Sequence, residues 1–318
     1  MKRSFIFIIL LLLPLRTQSW GFFAHMRINR LAVFTLPSAM IRFYKANISY
    51  LSAHAVDADK RRYADTAEAQ RHYLDVELYE KDIDSIPRKW DNAVLKYGLK
   101  KLNSNGILPW QIQRSYDKLV KAFKQRDSIL ILFHSAYLGH YISDAHVPLH
   151  TTQNHNGQLT NQLGIHAFWE SRLPELFAQH YNYFVGRAVY LTDPLAAAWK
   201  IIRHTHQLTD SVLKLEAALN SSFPQGRKYS YSRRNNQVVK QYSAAYAKAY
   251  DDLMQHMVEK QMRAAILSTG SYWYAAWVDA GQPLLENMTG SIPDTTAEKE
   301  ALKIEAAFKK GKIIGREN

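Results

Sequence analysis

Cysteine is absent from this 318-residue chain. Its absence excludes a disulfide framework and all thiolate chemistry, whether nucleophilic or metal-binding. Any metal must therefore be held by histidine, carboxylate or main-chain groups. Long apolar runs are missing as well. The apolar stretch at residues 5–13 is too short to cross a bilayer, which takes about 20 residues, and no later run reaches that length. Strand-like alternation is scarce. Acidic residues are also few, 28 against 41 Lys and Arg, a formal net charge of +13. Such a surplus favours polyanions or anionic membrane surfaces as partners and says nothing about fold.

What is present begins with an export signal. Lys2 and Arg3 precede the apolar run, Pro14 breaks it, and Thr17-Gln18-Ser19 supplies small residues where a signal peptidase cuts. Cleavage after Ser19 makes Trp20 the new amino terminus and removes Lys2, Arg3 and Arg16, leaving 38 basic against 28 acidic side chains. The expected location is the periplasm or the exterior.

Helical periodicity dominates the rest. Residues 22–36, 115–147, 166–180, 194–219, 235–267 and 270–280 carry apolar side chains at spacings of three and four. Residues 81–112, with Pro87, Gly98, Gly106 and Pro109, read as an irregular excursion, and 151–165 and 223–234 read as loops. Residues 286–318 read as a charged tail with a solvated terminal helix. The expectation is an all-α fold with a single multi-helix domain over residues 20–285.

Histidine spacing carries the chemistry. In His140-Tyr141-Ile142-Ser143-Asp144-Ala145-His146-Val147-Pro148-Leu149-His150, His140 and Asp144 lie four apart and share a helical face, so both can reach one ion. Pro148 ends the helix and swings His150 elsewhere. His166-Ala167-Phe168-Trp169-Glu170 repeats the four-residue device. Two such pairs can face one another across a bundle with metal between them. His54, His134, His146 and His155 are read as core, surface or supporting groups.

These runs resemble the superfamily of zinc-dependent phospholipases C and single-strand-specific zinc nucleases. Trp20-Gly21-Phe22-Phe23-Ala24-His25 at the expected mature terminus, Ala58-Asp59-Lys60-Arg61-Arg62 and His72-Tyr73-Leu74-Asp75 fit the remaining signature positions. The resemblance implies a trinuclear zinc site between helices. One zinc takes Asp59, His72, His140 and Asp144. A second takes His150, His166 and Glu170. A third takes the α-amino nitrogen and carbonyl oxygen of Trp20, with His25 and the bridging Asp144. Asp57 competes with Asp59 for its position, and Asp59 is preferred for its Ala-Asp flank.

The resemblance further implies metal-activated water attacking a phosphodiester, with Asp59 and Asp144 as catalytic carboxylates. Two substrates compete. Short Trp20–His25 spacing, and Tyr73 and Asp75 as residues able to hold a base, favour single-stranded nucleic acid. Glu170 and the brief loop from His150 to His166 favour a phospholipid head group. Arg227, Lys228, Arg233 and Arg234 add a basic cluster that either polyanion would attract. The reading favours the nuclease, with the phospholipase C as alternative and a non-catalytic zinc-stabilised binding protein as the more distant one. No dedicated protein partner is expected.

Overall fold

A computed structural model describes residues 21–234, 237–286, 288 and 295–310. The expected export signal and Trp20 lie outside the described residues. The fold is all-α apart from one small two-stranded sheet. Among the described residues no helix is long and apolar enough to cross a membrane.

Helix α1 (Phe22–Ala32) is followed by α2 (Ser38–Ala46) and packs beside α3 (Ile48–Ala53), and a short α4 (Asp57–Arg61) follows. After α5 (Val76–Tyr79) comes α6 (Trp90–Asn105), kinked at Gly98, then α7 (Leu108–Gln125) and α8 (Ser128–Ala145). Thus the segment 81–112 is largely helical, not irregular. Its kinked residue, Gly98, has φ 72°, which interrupts a helix without ending it.

The predicted helix over 115–147 is two helices. Arg126 adopts the left-handed conformation at φ 56° and closes α7, while Asp127 caps α8 by accepting the amides of Ile129 and Leu130 at 3.0 Å each. Nearly every residue in the second half of α8 is buried, as expected for a helix apolar all round. It is the axis of the molecule. Two glycines permit close approach between elements, Gly139 on α8 and Gly270 near the middle of the last long helix before residue 280. A methyl on Gly139 would stand 2.1 Å from Asn29 Oδ1 on α1, and one on Gly270 would stand 1.8 Å from Thr35 Oγ1.

Beyond α8 a helix starts at α9 (Ile165–Ala167), widens into a π turn (Phe168–Arg172) and resumes as α10 (Leu173–Phe177). The long α11 (Pro194–Ser222) is capped by Asp193, and α12 (Gln225–Lys228) leads into the sheet. Strands β1 (Tyr229–Arg234) and β2 (Gln237–Tyr242) pair antiparallel, Tyr229 opposite Tyr242. This corrects the reading of loop followed by helix. Tyr242 stacks on Phe168 at 3.9 Å, so the hairpin is held by packing on the π turn. Lys228 is buried and bonds Glu216 and Asn220 at 3.3 and 2.6 Å, which removes it from the expected basic surface cluster.

Helix α13 (Ala244–Leu253) is separated from α14 (Met257–Asp279) by Gln255 and His256, both at positive φ. The two expected segments 235–267 and 270–280 are thereby redivided, because α14 runs through Thr269 and Gly270 unbroken. Helix α15 (Thr295–Lys310) is not solvated all round. Phe308 contacts Phe22 and Tyr63 at ring distances of 5.6 and 5.1 Å, and Glu305 pairs with Lys60 of α4 at 3.4 Å.

Two apolar clusters result. One joins α2, α7, α8 and the C-terminal half of α14 around Trp110, Trp199 and Trp273. The other joins α1, the π turn, α13 and the N-terminal half of α14 around Phe168, Trp169 and Tyr250. The chain passes from the first to the second at the end of α8, where the polar site is built.

Candidate metal centre

His25 lies one turn into α1, Asp59 within α4, and His72 just after a 3-10 turn at Ala69–Arg71. His140 and Asp144 occupy the last turns of α8. His150 sits in a 3-10 turn at Pro148–Thr151, reached because Pro148 ends helical pairing. His166 is in α9 and Glu170 in the π turn, a wider turn often found at functional sites. These eight side chains are buried, none more than 4% exposed.

Their atoms converge in three groups: Asp59, His72 and His140; His25, His140 and Asp144; and His150, His166 and Glu170. In the first, His72 Nδ1 lies 2.9 Å from Asp144 Oδ2 and 3.0 Å from His140 Nε2. His140 Nε2 lies 3.2 Å from Asp144 Oδ2, and Asp59 Oδ1 lies 3.8 and 3.9 Å from the two imidazole nitrogens. Tetrahedral zinc with bonds of about 2.0–2.1 Å separates its ligands by about 3.3 Å, and the five distances bracket that edge. Asp144 turns its other oxygen to His25 Nε2 at 3.4 Å, so one carboxylate spans two groups. In the third, Glu170 Oε2 is 3.0 Å from His166 Nε2 and 3.4 Å from His150 Nε2.

The opposite ring nitrogens are anchored. His140 Nδ1 meets the Ala55 carbonyl at 2.8 Å, His150 Nδ1 the His72 carbonyl at 2.5 Å and His166 Nδ1 the His155 carbonyl at 3.0 Å. Each carbonyl accepts a hydrogen bond from the ring Nδ1–H, which leaves the Nε2 lone pair aimed into the cluster, as metal-binding histidine requires. His72 is reversed: its Nε2 lies 3.5 Å from Glu68 Oε1. Tyr141 donates to the same Glu68 oxygen at 2.5 Å, and Arg71 pairs with the other.

Burial alone would raise Glu68, but His72, Arg71 and Tyr141 hold its carboxyl down at about 2. Burial would likewise lower His140 and raise Glu170. Asp144 and Asp59 instead push His140 up to about 9, and His166 with His150 brings Glu170 down to about 2. His25 is held down by burial and by His140.

These donors suit a metal. Both Asp59 oxygens, Asp144 Oδ1 and His150 Nε2 are buried with no hydrogen-bond partner among the described residues. Burying several carboxylates and imidazoles in that state costs several kcal/mol per ion unless a cation takes their lone pairs. A purely nitrogen and oxygen donor set fits zinc.

A family model described as zinc dependent phospholipase C matches residues 24–233. The chain belongs to this family. No curated protein matches the chain in sequence. The matched span of the zinc-dependent phospholipase C family contains all eight clustered side chains, and the suspected superfamily and the all-α fold both stand.

Other expected residues lie elsewhere. Asp57 turns to His54 at 2.5 Å and Lys60 at 3.7 Å, outside the cluster. Tyr73 and Asp75 are buried, 6% and 4% exposed, and the Tyr73 hydroxyl donates to Ser104. The Trp20 part of the third group lies outside the described residues. Glu68 went unnoticed in the sequence, although it stands four residues before His72, the spacing that singled out the other pairs.

Proposed function

We propose that the chain is an exported zinc-dependent phosphodiester hydrolase that holds three zinc ions. The observation that carries this reading is the set of three buried nitrogen-and-oxygen groups, two of them spanned by Asp144. Asp59, His72, His140 and Asp144 would hold one ion and His150, His166 and Glu170 a second. His25 and Asp144, with the main chain of a mature terminus at Trp20, would hold the third. Gly21 supports the last assignment, since its amide donates to Ser171 beside Glu170 at 3.0 Å. A free α-amine has a pKa near 8 and can give up its proton to a metal, whereas the amide of an uncleaved precursor cannot.

Bound zinc lowers the pKa of a water toward neutrality and neutralises phosphoryl oxygens. The chain's own groups do the rest. Asp144 fixes the relative position of His25, His72 and His140. Asp59 Oδ2, 4.0 Å from His25 Nε2, is placed to orient the attacking water and take its proton. The His150, His166 and Glu170 group offers only three donors, so a phosphoryl or leaving oxygen can complete it. The buried walls exclude bulk water, which strengthens each of these interactions.

Within this reading a phospholipid head group is the better substrate. The family description supports it, and Glu170 and the brief loop from His150 to His166 agree with it. The nuclease reading keeps its own support in the short Trp20–His25 spacing and in exposed Tyr231 with Arg233 and Lys240 on the hairpin. Hydrolysis of phosphatidylcholine vesicles beside single-stranded DNA and RNA separates the two. Diacylglycerol release without nucleotide release is expected, and the reverse would replace the phospholipase by the nuclease. Loss of both activities in Asp144→Asn is the accompanying test of the zinc assignment.

A further inference from the structure

A cleft of about 320 Å³ opens along α8 upstream of His140. None of the clustered metal-centre side chains lines it. Arg61 of α4, Arg71 beside His72, and Arg114 and Lys118 of α7 converge on it, with Asp65 as the sole lining acid. Arg71 is committed to Glu68 and lies 3.6 Å from Asp65. Arg114 and Lys118 have no carboxylate within ion-pair range among the described residues. Their charges bear on their neighbours. Burial and the facing Arg71 both hold Arg114 down, while burial and Lys118 bring His134, on the cleft wall, to about 4.

The floor is polar. Ser115 is buried and its oxygen accepts from Gln111 at 3.1 Å, which leaves its own hydroxyl hydrogen to donate. Phe133 and Tyr137 form an aromatic side wall, their rings 4.6 Å apart. Like charges gathered around a concave, partly buried space repel one another, and a bound anion relieves that repulsion. Guanidinium forks match phosphate oxygens in particular. Cations arriving from three separate elements suit a tetrahedral dianion better than a planar carboxylate. The volume is at the small end of ligand pockets, which favours a compact molecule over a polymer.

We propose that this cleft binds a small soluble phosphomonoester at a site separate from the metal centre. The phosphate sits among Arg61, Arg71, Arg114 and Lys118, and its organic group lies against Phe133 and Tyr137. The site does not depend on the zinc assignment, because its walls contain none of those ligands.

Calorimetric titration of the zinc-replete protein with inorganic phosphate and with glycerol 3-phosphate tests it. Arg114→Gln combined with Lys118→Gln is expected to weaken one binding event roughly tenfold or more, with unchanged circular dichroism and hydrolytic activity, since neither side chain belongs to the metal centre. Arg61→Gln provides a second variant with the same expected loss. An unchanged isotherm in these variants overturns the proposal. So does phosphate binding that disappears in Asp144→Asn and survives in the double variant, which would place the anion on the metal centre. Vesicles containing phosphatidic acid complete the test: cosedimentation that needs Arg114 and Lys118, with no binding of either soluble phosphate, would also overturn it.

Discussion

Glu68 shows how a stretch crowded with ordinary charged residues can hide a controlling side chain. It holds His72 from behind, with Tyr141 and Arg71 sharing its two oxygens. Partners of this kind orient a metal-binding imidazole and typically matter by about 10–100-fold in affinity or activity. Glu68→Gln should therefore weaken zinc binding within that range while the fold persists, as read by competition with a chelator and by circular dichroism. Unaltered zinc affinity would remove Glu68 from the site. At the same scale, the pairs His140 with Asp144 and His166 with Glu170 were legible because helical spacing places them on one face. The bridging by Asp144 came from the family resemblance and not from spacing, since it depends on His25 and His72 arriving from distant parts of the chain. Adjacency of Tyr73 to His72 does not say which way its ring turns; in the fold its hydroxyl donates to the Ser104 carbonyl.

Elements depend on local conformations that periodicity does not reveal. Arg126 divides α7 from α8, and Gln255 with His256 divides α13 from α14, each through positive φ at residues other than glycine. An apolar pattern continues across such breaks, so the boundaries were missed while the helices were found. The hairpin was missed because its alternation of Tyr with Ser over residues 229–232 is short and resembles a polar loop. Its stability comes from Tyr242 on Phe168, a tertiary contact. The packing of α1 on α8 makes its own prediction. Gly139→Ala drives a methyl into Asn29, whose amide bonds the Leu51 and Ala136 carbonyls at 3.3 and 3.1 Å. A loss of about 1–3 kcal/mol is expected from overpacking, measured by chemical denaturation, with His25 displaced from His140. A variant as stable as the parent would show that α1 can move away freely.

At the scale of the whole molecule, the two apolar clusters enclose the metal centre, and several histidines are buried outside it. His146 is brought down to about 4 by burial, which its hydrogen bond to the Gln261 amide oxygen only partly opposes, and His134 to about 4 by burial and Lys118. Their folded values lie below the ordinary value of 6.5, so the unfolded chain binds more protons between about pH 4 and 6.5. Stability should then fall as pH drops through that window and be insensitive to these groups above it. For His146 the loss at pH 5 is on the order of 2 kcal/mol. His146→Gln should remove it, shrinking the difference in urea midpoint between pH 7 and pH 5; an equal difference in parent and variant would contradict the assignment. The central claim remains that the enclosed groups form a zinc centre for phosphodiester cleavage. Its most direct test is to strip the mature protein, beginning at Trp20, with a chelator and restore zinc stepwise. Zinc bound per chain is recorded alongside hydrolysis of phosphatidylcholine and single-stranded DNA. Activity that vanishes on stripping and returns fully only as three zincs are bound is the predicted result, and full hydrolysis by the metal-free chain would contradict it.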